Sequence, residues 1–143
     1  MIAIDTNILV YAHRASTPQH ARAKAAIERA AAGVWGFAAA SIAEFYAVAT
    51  HSQCVGGPSS PDRAAAFVRA LVDAGAEVWL PGPGFADRLL QLAEDLAVSG
   101  ARIFDLQIGL TAFQSGAIEM WTHDAHFVKM PGLRVHDPIE KRR

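Results

Sequence analysis

The sequence predicts an α/β fold: a three-layer α/β/α domain around a central, mostly parallel sheet of four to five strands. Three observations carry that prediction. Short apolar runs alternate with longer periodic stretches, the pattern of strands that take turns with helices. The connections between successive apolar runs are long enough to hold a crossover helix, which parallel pairing requires. The 143 residues are 52% hydrophobic and 19% charged, enough for the sizeable core of one domain over 1–143.

The elements follow in order. Strands are expected at Ile2 to Ile4, Val34 to Ala38, Val78 to Leu80 and Ile118 to Trp121, with Leu133 to Val135 as a fifth candidate. A helix cap is available at Asp5 for "TNILVYAHR". In "TPQHARAKAAIERAAAG", Thr17 stands as a cap, Pro18 at the first helical position and Gly33 as the stop. "SPDRAAAFVRALVDAG" repeats that grammar with Ser60, Pro61 and Gly75. Further helices are expected in "AAASIAEFYAVATHS", where Ser41 and Glu44 have the spacing of a capping box, in "FADRLLQLAEDLAVSG", and in "FDLQIGLTAFQSG", ended by Gly116. "GGPSSP", residues 56–61, reads as a loop inside the domain, and beyond the terminal "EKRR" there is no low-complexity segment.

Composition removes several classes of function. No apolar stretch approaches the roughly 18 residues of a membrane span, and Ile2 to Ile4 is too short for a signal sequence, so the expected location is the cytoplasm, with no membrane partner. One cysteine, Cys54, cannot form an internal disulfide. Thirteen Lys and Arg against fourteen Asp and Glu give a net charge of −1, which argues against a module that binds DNA by phosphate neutralisation alone. A nucleic-acid enzyme stays open, because divalent cations add positive charge where acids cluster.

Four acids stand out. Asp5 follows the first strand, at the end where open parallel sheets bind ligands. Asp124 repeats that pattern after Ile118 to Trp121: apolar strand, threonine, acid. Glu44 and Asp105 enter helices from the same edge, Asp105 between Phe104 and Leu106. Each has a plainer use, as cap, capping-box partner or turn residue. Together they would converge on one crevice, where mutual repulsion raises their pKa values unless cations neutralise them. Hard oxygen donors of this kind suit Mg²⁺ or Mn²⁺, the ions that serve phosphodiester hydrolysis.

These residues carry a resemblance. "IDTNILVYA", "SIAEF", "RIFDLQIGLTAFQSG" and "WTHDAHF" occur in the order and spacing of PIN-domain ribonucleases, and the chain resembles a VapC-type toxin of a bacterial toxin–antitoxin pair from Ile2 to about Pro138. The resemblance implies a metal-dependent endoribonuclease that cuts single-stranded RNA, a homodimer, and a small antitoxin protein that inhibits it. Asp5, Glu44, Asp105 and Asp124 match the family's four catalytic, metal-binding acids. Thr6 and Asn7 follow the first acid as the family has them, and Thr122 matches the hydroxyl residue two before the last. Many relatives carry another acid two residues after Asp124; this chain has His126, which bears on a second ion.

Other readings compete. The same fold with a defective metal site would bind RNA or a protein partner without cutting. A phosphotransfer domain would use Asp5 as nucleophile, but position 7 is Asn where a second aspartate is wanted. His123, Asp124, His126, His136 and Asp137 offer a weak zinc pattern with no fixed third ligand. Arg14, Arg102, Lys129 and Arg134 fall near the proposed edge or the last strand and are candidates for phosphate contact, whereas Arg22, Lys24 and Arg29 read as the polar face of a helix. His13, His20 and His51 receive no function. Apolar residues around Leu9, Phe45 and Tyr46 offer a groove for the antitoxin, and the helices flanking "GGPSSP" offer a dimer interface.

Overall fold

The computed structural model describes residues 1–141; Arg142 and Arg143 of the terminal "EKRR" lie outside the described residues. The elements in chain order are β1 (Ile2–Ile4), α1 (Thr6–His13), α2 (His20–Ala30), β2 (Trp35–Ala38), α3 (Ala39–Ala49), α4 (Pro61–Asp73), β3 (Glu77–Trp79), α5 (Phe85–Asp95), α6 (Arg102–Gln114), β4 (Glu119–Trp121) and β5 (Arg134–His136). The five strands pair in parallel throughout, in the order β3-β2-β1-β4-β5.

Strand residues alternate between the two faces, as the pleat demands. On one face Ile4, Phe37, Trp35 and Trp121 pack with Ile8, Leu9, Ala23, Ile27 and Phe45 from α1, α2 and α3. On the other, Ala3, Ala38, Trp79 and Met120 pack with Leu92, Leu106 and Leu110 from α5 and α6. Both faces being covered explains why the central β1 and β2 read as unbroken apolar runs, while Glu77, Glu119 and Arg134 open the strands β3, β4 and β5.

The order reverses at β1, which has β2 on one side and β4 on the other. Open parallel sheets bind ligands in the crevice outside the carboxyl ends of the strands at such a switch point. Asp5 leaves β1 there, and Thr122 leaves β4 beside it.

Several local expectations need correction. Thr17 does not cap α2: its hydroxyl donates to the Arg14 carbonyl in a turn, and the helix starts at His20 with no side-chain cap bond. Pro18 therefore lies in the turn before the helix. Ser41 and Glu44 form no capping box, because β2 runs directly into α3 at Ala39 and places Ser41 inside the first turn, its hydroxyl buried without a partner. Register with β2 shifts β3 to Glu77–Trp79, leaving Leu80 71% exposed. Pairing with β4 likewise shifts β5 to Arg134–His136. Leu9 and Phe45 are fully buried in the core and offer no groove; of that trio only Tyr46 is exposed. The stops at Gly75 and Gly116 hold. Both have positive φ, and the residue after each donates back across the helix end, Ala76 to Leu71 and Ala117 to Ala112.

Candidate active site

Asp5 is the N-cap residue of α1 and is 6% exposed. Its Oδ1 accepts from the Thr6 N–H at 2.7 Å, and its Oδ2 accepts from the Thr122 hydroxyl at 2.7 Å. Its own N–H donates to the Trp121 carbonyl at 2.9 Å, which continues the β1–β4 pairing by one residue and fixes the acid at the sheet edge.

Thr122 is the hub of this edge. While donating to Asp5, its oxygen accepts from Asn7 Nδ2 at 3.1 Å and from the Asp124 N–H at 3.1 Å. Asn7 Oδ1 in turn accepts from the His123 N–H at 3.2 Å. Residues 5–7 after β1 and 122–124 after β4 are thereby locked together. Three consecutive polar residues close the first apolar run because no two of them serve the same purpose. Asp5 presents the acid, Asn7 clamps the neighbouring loop, and Thr6 places a hydroxyl toward Glu44.

Glu44 projects from α3 and Asp105 from the first turn of α6, so the two helices on opposite faces of the sheet each bring an acid to the same edge. Burial pushes the Asp5 carboxyl up from 3.8 to about 6; its two hydrogen bonds oppose that rise, while Glu44 and Asp105 add to it. Glu44 is open to solvent on one side, yet partial desolvation in the cleft and the charge of Asp105 raise it. The Thr6 hydroxyl lies close enough to draw Glu44 back down, although it has no partner within hydrogen-bonding distance. Asp105 is raised by desolvation and by Asp124, and lowered by a Val128 backbone contact and by Arg102. The electrostatic couplings Asp5–Glu44, Asp5–Asp105, Glu44–Asp105 and Asp105–Asp124 thus join all four acids.

Among the described residues, no three His, Cys, Asp or Glu side chains stand close enough to grip one ion as placed. The donor set nevertheless fits a hydrated divalent cation. It is entirely hard oxygen, it carries excess negative charge in a partly desolvated crevice, and the orphaned Thr6 hydroxyl is a ready partner for a bound water. Mg²⁺ keeps several waters and uses one or two carboxylates, so a closed protein cage is not required. The histidine pattern considered for zinc likewise brings no three ligands together among the described residues. His123 Nδ1 is paired with Asp137 Oδ2 at 2.8 Å, and the backbone N–H of the exposed His126 donates to Asp124 Oδ1 at 2.8 Å.

The basic candidates separate. Arg14 is buried, its guanidinium donating to the carbonyls of Gly57 and Ala49, so it ties the loop after α3 to α1 and is not free for phosphate. Arg134 pairs with Glu119. Arg102 donates to the His126 carbonyl at 2.7 Å, bracing the loop that bears Asp124. Lys129 is exposed. The clamp role of Asn7 and the pairing of His123 with Asp137 have no signature in the sequence beyond the residues themselves, since both depend on two loops meeting.

Comparison with known proteins gives the family. The family model of the PIN domain matches residues 2–133. VapC ribonuclease Mb2897 of Mycobacterium bovis is 32% identical, the match covering 98% of this chain and 97% of that protein. Ribonuclease VapC48 of Mycobacterium tuberculosis is 27% identical over 94% of this chain and 95% of its own. In fold, the chain superposes on the solved structure of VapBC2 from Rickettsia felis bound to a DNA fragment from their promoter, with a TM-score of 0.68, 19% identity, and coverage of 95% of this chain and 98% of that one. With the four acids at the switch point of a β3-β2-β1-β4-β5 sheet, the chain belongs to the PIN-domain family and, within it, to the VapC type.

Proposed function

We propose that the protein is a divalent-metal-dependent endoribonuclease, the toxin of a toxin–antitoxin pair, acting as one PIN domain over 1–143. The observation that carries the reading is the mutual coupling of Asp5, Glu44, Asp105 and Asp124 at one sheet edge, with Asp5 buried and raised to about 6. Carboxylates so placed are costly without a counter-ion, and a cation is the partner their chemistry asks for.

The four acids would hold Mg²⁺ or Mn²⁺. When bound, such an ion polarises a phosphodiester and lowers the pKa of water, the chemistry that hydrolysis to 5′-phosphate and 3′-hydroxyl ends requires. The chain's own part is positioning. Thr122 and the Thr6 N–H hold both oxygens of Asp5, so its carboxylate cannot rotate away. Asn7 holds Thr122 and the His123 backbone, keeping the loop of Asp124 against that of Asp5. Glu44 and Asp105 enter from helices packed on opposite faces, so the sheet fixes their separation.

The VapC relatives are named ribonucleases, which supports RNA as the substrate. The structural neighbour is a VapBC complex, which supports an antitoxin protein as partner. A homodimer and a cytoplasmic site of action follow from the same family reading. Among the described residues, no helix is long and apolar enough to cross a membrane.

The test is cleavage of a mixed single-stranded and structured RNA pool by purified, antitoxin-free protein with Mg²⁺, Mn²⁺ or EDTA, beside Asp5→Asn prepared identically. Metal-dependent cutting that leaves 5′-phosphates and drops at least about 100-fold in the variant is expected. A folded protein that cuts no RNA with either metal refutes the enzyme and leaves a binding module of the same fold.

A further inference from the structure

A groove of about 830 Å³ runs between α2 and the segment Val135–Lys141, lined among others by Arg22, Arg29, Trp121, His136, Glu140 and Lys141. Asp137, one of its lining residues, pairs with His123 at 2.8 Å, in the loop between Thr122 and Asp124, which ties the groove wall to the acidic edge. We propose that this groove is a phosphate track that holds the RNA strand leading away from the acids. The inference rests on the nuclease reading above and names a second part of its substrate site.

Arg22 and Arg29 are seven residues apart on α2, two turns along one helix face, or about 10 Å, so they can meet different phosphates of one strand. Neither guanidinium is in an ion pair among the described residues. Among the described residues each makes a single long contact to a backbone carbonyl, Arg22 to Ile139 at 3.4 Å and Arg29 to Pro138 at 3.3 Å, which leaves most of their five donors without a partner there. Arg29 is held in place over the Trp121 ring, its guanidinium carbon 5.6 Å from the centroid.

Of the carboxylates in the lining, Asp137 is occupied: one oxygen takes His123, the other the N–H groups of Ile139 and Glu140. Glu140 is exposed and opposes the arginines only in part, with Lys141 beside it. A chain of net charge −1 with an acidic catalytic edge has no global field to retain RNA, so retention needs a local cationic strip. A polyanion of regular charge spacing fits a row of separated cations better than an acidic peptide does. The open geometry of guanidinium suits phosphate oxygens.

The experiment is fluorescence anisotropy of a labelled single-stranded RNA on full-length Asp5→Asn protein, which binds without cutting, across a salt series. Replacing Arg22 and Arg29 together by Gln is expected to weaken binding at least about tenfold at low salt and flatten the slope of log K against log salt by about 1.4, or 0.7 per lost phosphate contact. Arg→Lys at both positions restores the slope. Lys141→Gln, which disturbs neither carbonyl contact, flattens it by about 0.7, and Glu140→Gln tightens binding. Unchanged affinity and slope in the folded Gln double variant and in Lys141→Gln overturns the track while leaving the nuclease reading intact. So does a loss of poly-glutamate binding without loss of RNA binding, which marks a peptide site instead. If the Asp5→Asn parent binds no RNA at all, the nuclease reading fails first and the track with it.

Discussion

Asp5 is held against its preference. A carboxylate 6% exposed, with two hydrogen bonds favouring its charged form, still titrates near 6 because burial and two neighbouring acids outweigh those bonds. Its folded pKa lies above the unfolded value, so between pH 3.8 and about 6 the folded state binds more protons than the unfolded chain. Metal-free stability therefore falls as pH rises through that window and stays lower above it, by up to about 3 kcal/mol from this one group. Asp5→Asn removes the charge, at some cost in the Thr6 and Thr122 bonds. The variant is expected to be more stable than the parent by about 1 kcal/mol at pH 7.5 in EDTA, with the gain gone near pH 4. Urea unfolding of both proteins at the two pH values measures it. A variant that is less stable at both would show that the hydrogen bonds, not the charge, govern this position.

At the scale of elements, two backbone positions are sharply determined. Gly36 in β2 faces Glu77 of β3, and a Cβ there would meet the Glu77 carbonyl oxygen at 2.2 Å. Gly36→Ala must open the β2–β3 pairing, at an expected cost of about 3 kcal/mol in chemical denaturation. Ala97 is the reverse case. It closes α5 at φ +50°, with its N–H on Glu94 and that of Val98 on Ala93, the position at which helices usually place glycine. Ala97→Gly should stabilise by about 0.5–1 kcal/mol, read as a higher urea midpoint at unchanged slope. Ala97 also shows where sequence reading stops. The next glycine in the sequence, Gly100, lies well beyond the last helical residue, Asp95, and the true stop has no side-chain signature. By contrast Ser60, Pro61 and Gly75 bound α4 as their chemistry suggests, although the Ser60 hydroxyl makes no cap bond. The strands were legible as apolar runs, but their ends were not. Pairing with neighbours moved β3 and β5 by one residue, and no single run contains that information.

Over the whole molecule, the switch between β1 and β4 turns distant sequence positions into one site. Asp5 and Asp124 were readable as acids after apolar strands and Asp105 as an acid at a helix start, whereas Glu44, read the same way, lies in the second turn of α3 because that helix begins at Ala39. Their convergence needed only the parallel order, which alternation of strand and helix already favours. The groove beside α2 was not readable, because Arg22 and Arg29 share a face with ordinary solvated residues and acquire a partner surface only when Val135–Lys141 folds across them. The acids draw on every layer: β1, the loop after β4, α3 on one face and α6 on the other. A cation shared among them would therefore stabilise the whole fold, since it binds the assembled edge and not the unfolded chain. At a free concentration of one hundred times its dissociation constant the gain is about 2.7 kcal/mol, which for a domain of this size is a rise in melting temperature of several degrees. Thermal melts at pH 7.5 with 10 mM Mg²⁺ or Mn²⁺ should show that rise and EDTA should abolish it. The rise should shrink below pH 6, where protons compete for Asp5, and be largely lost in Asp105→Asn, which removes the acid coupled to the other three. Equal melting temperatures with and without either ion, at pH 7.5 and in the wild-type chain, would mean that the acids hold no cation until RNA arrives with its own phosphate ligands.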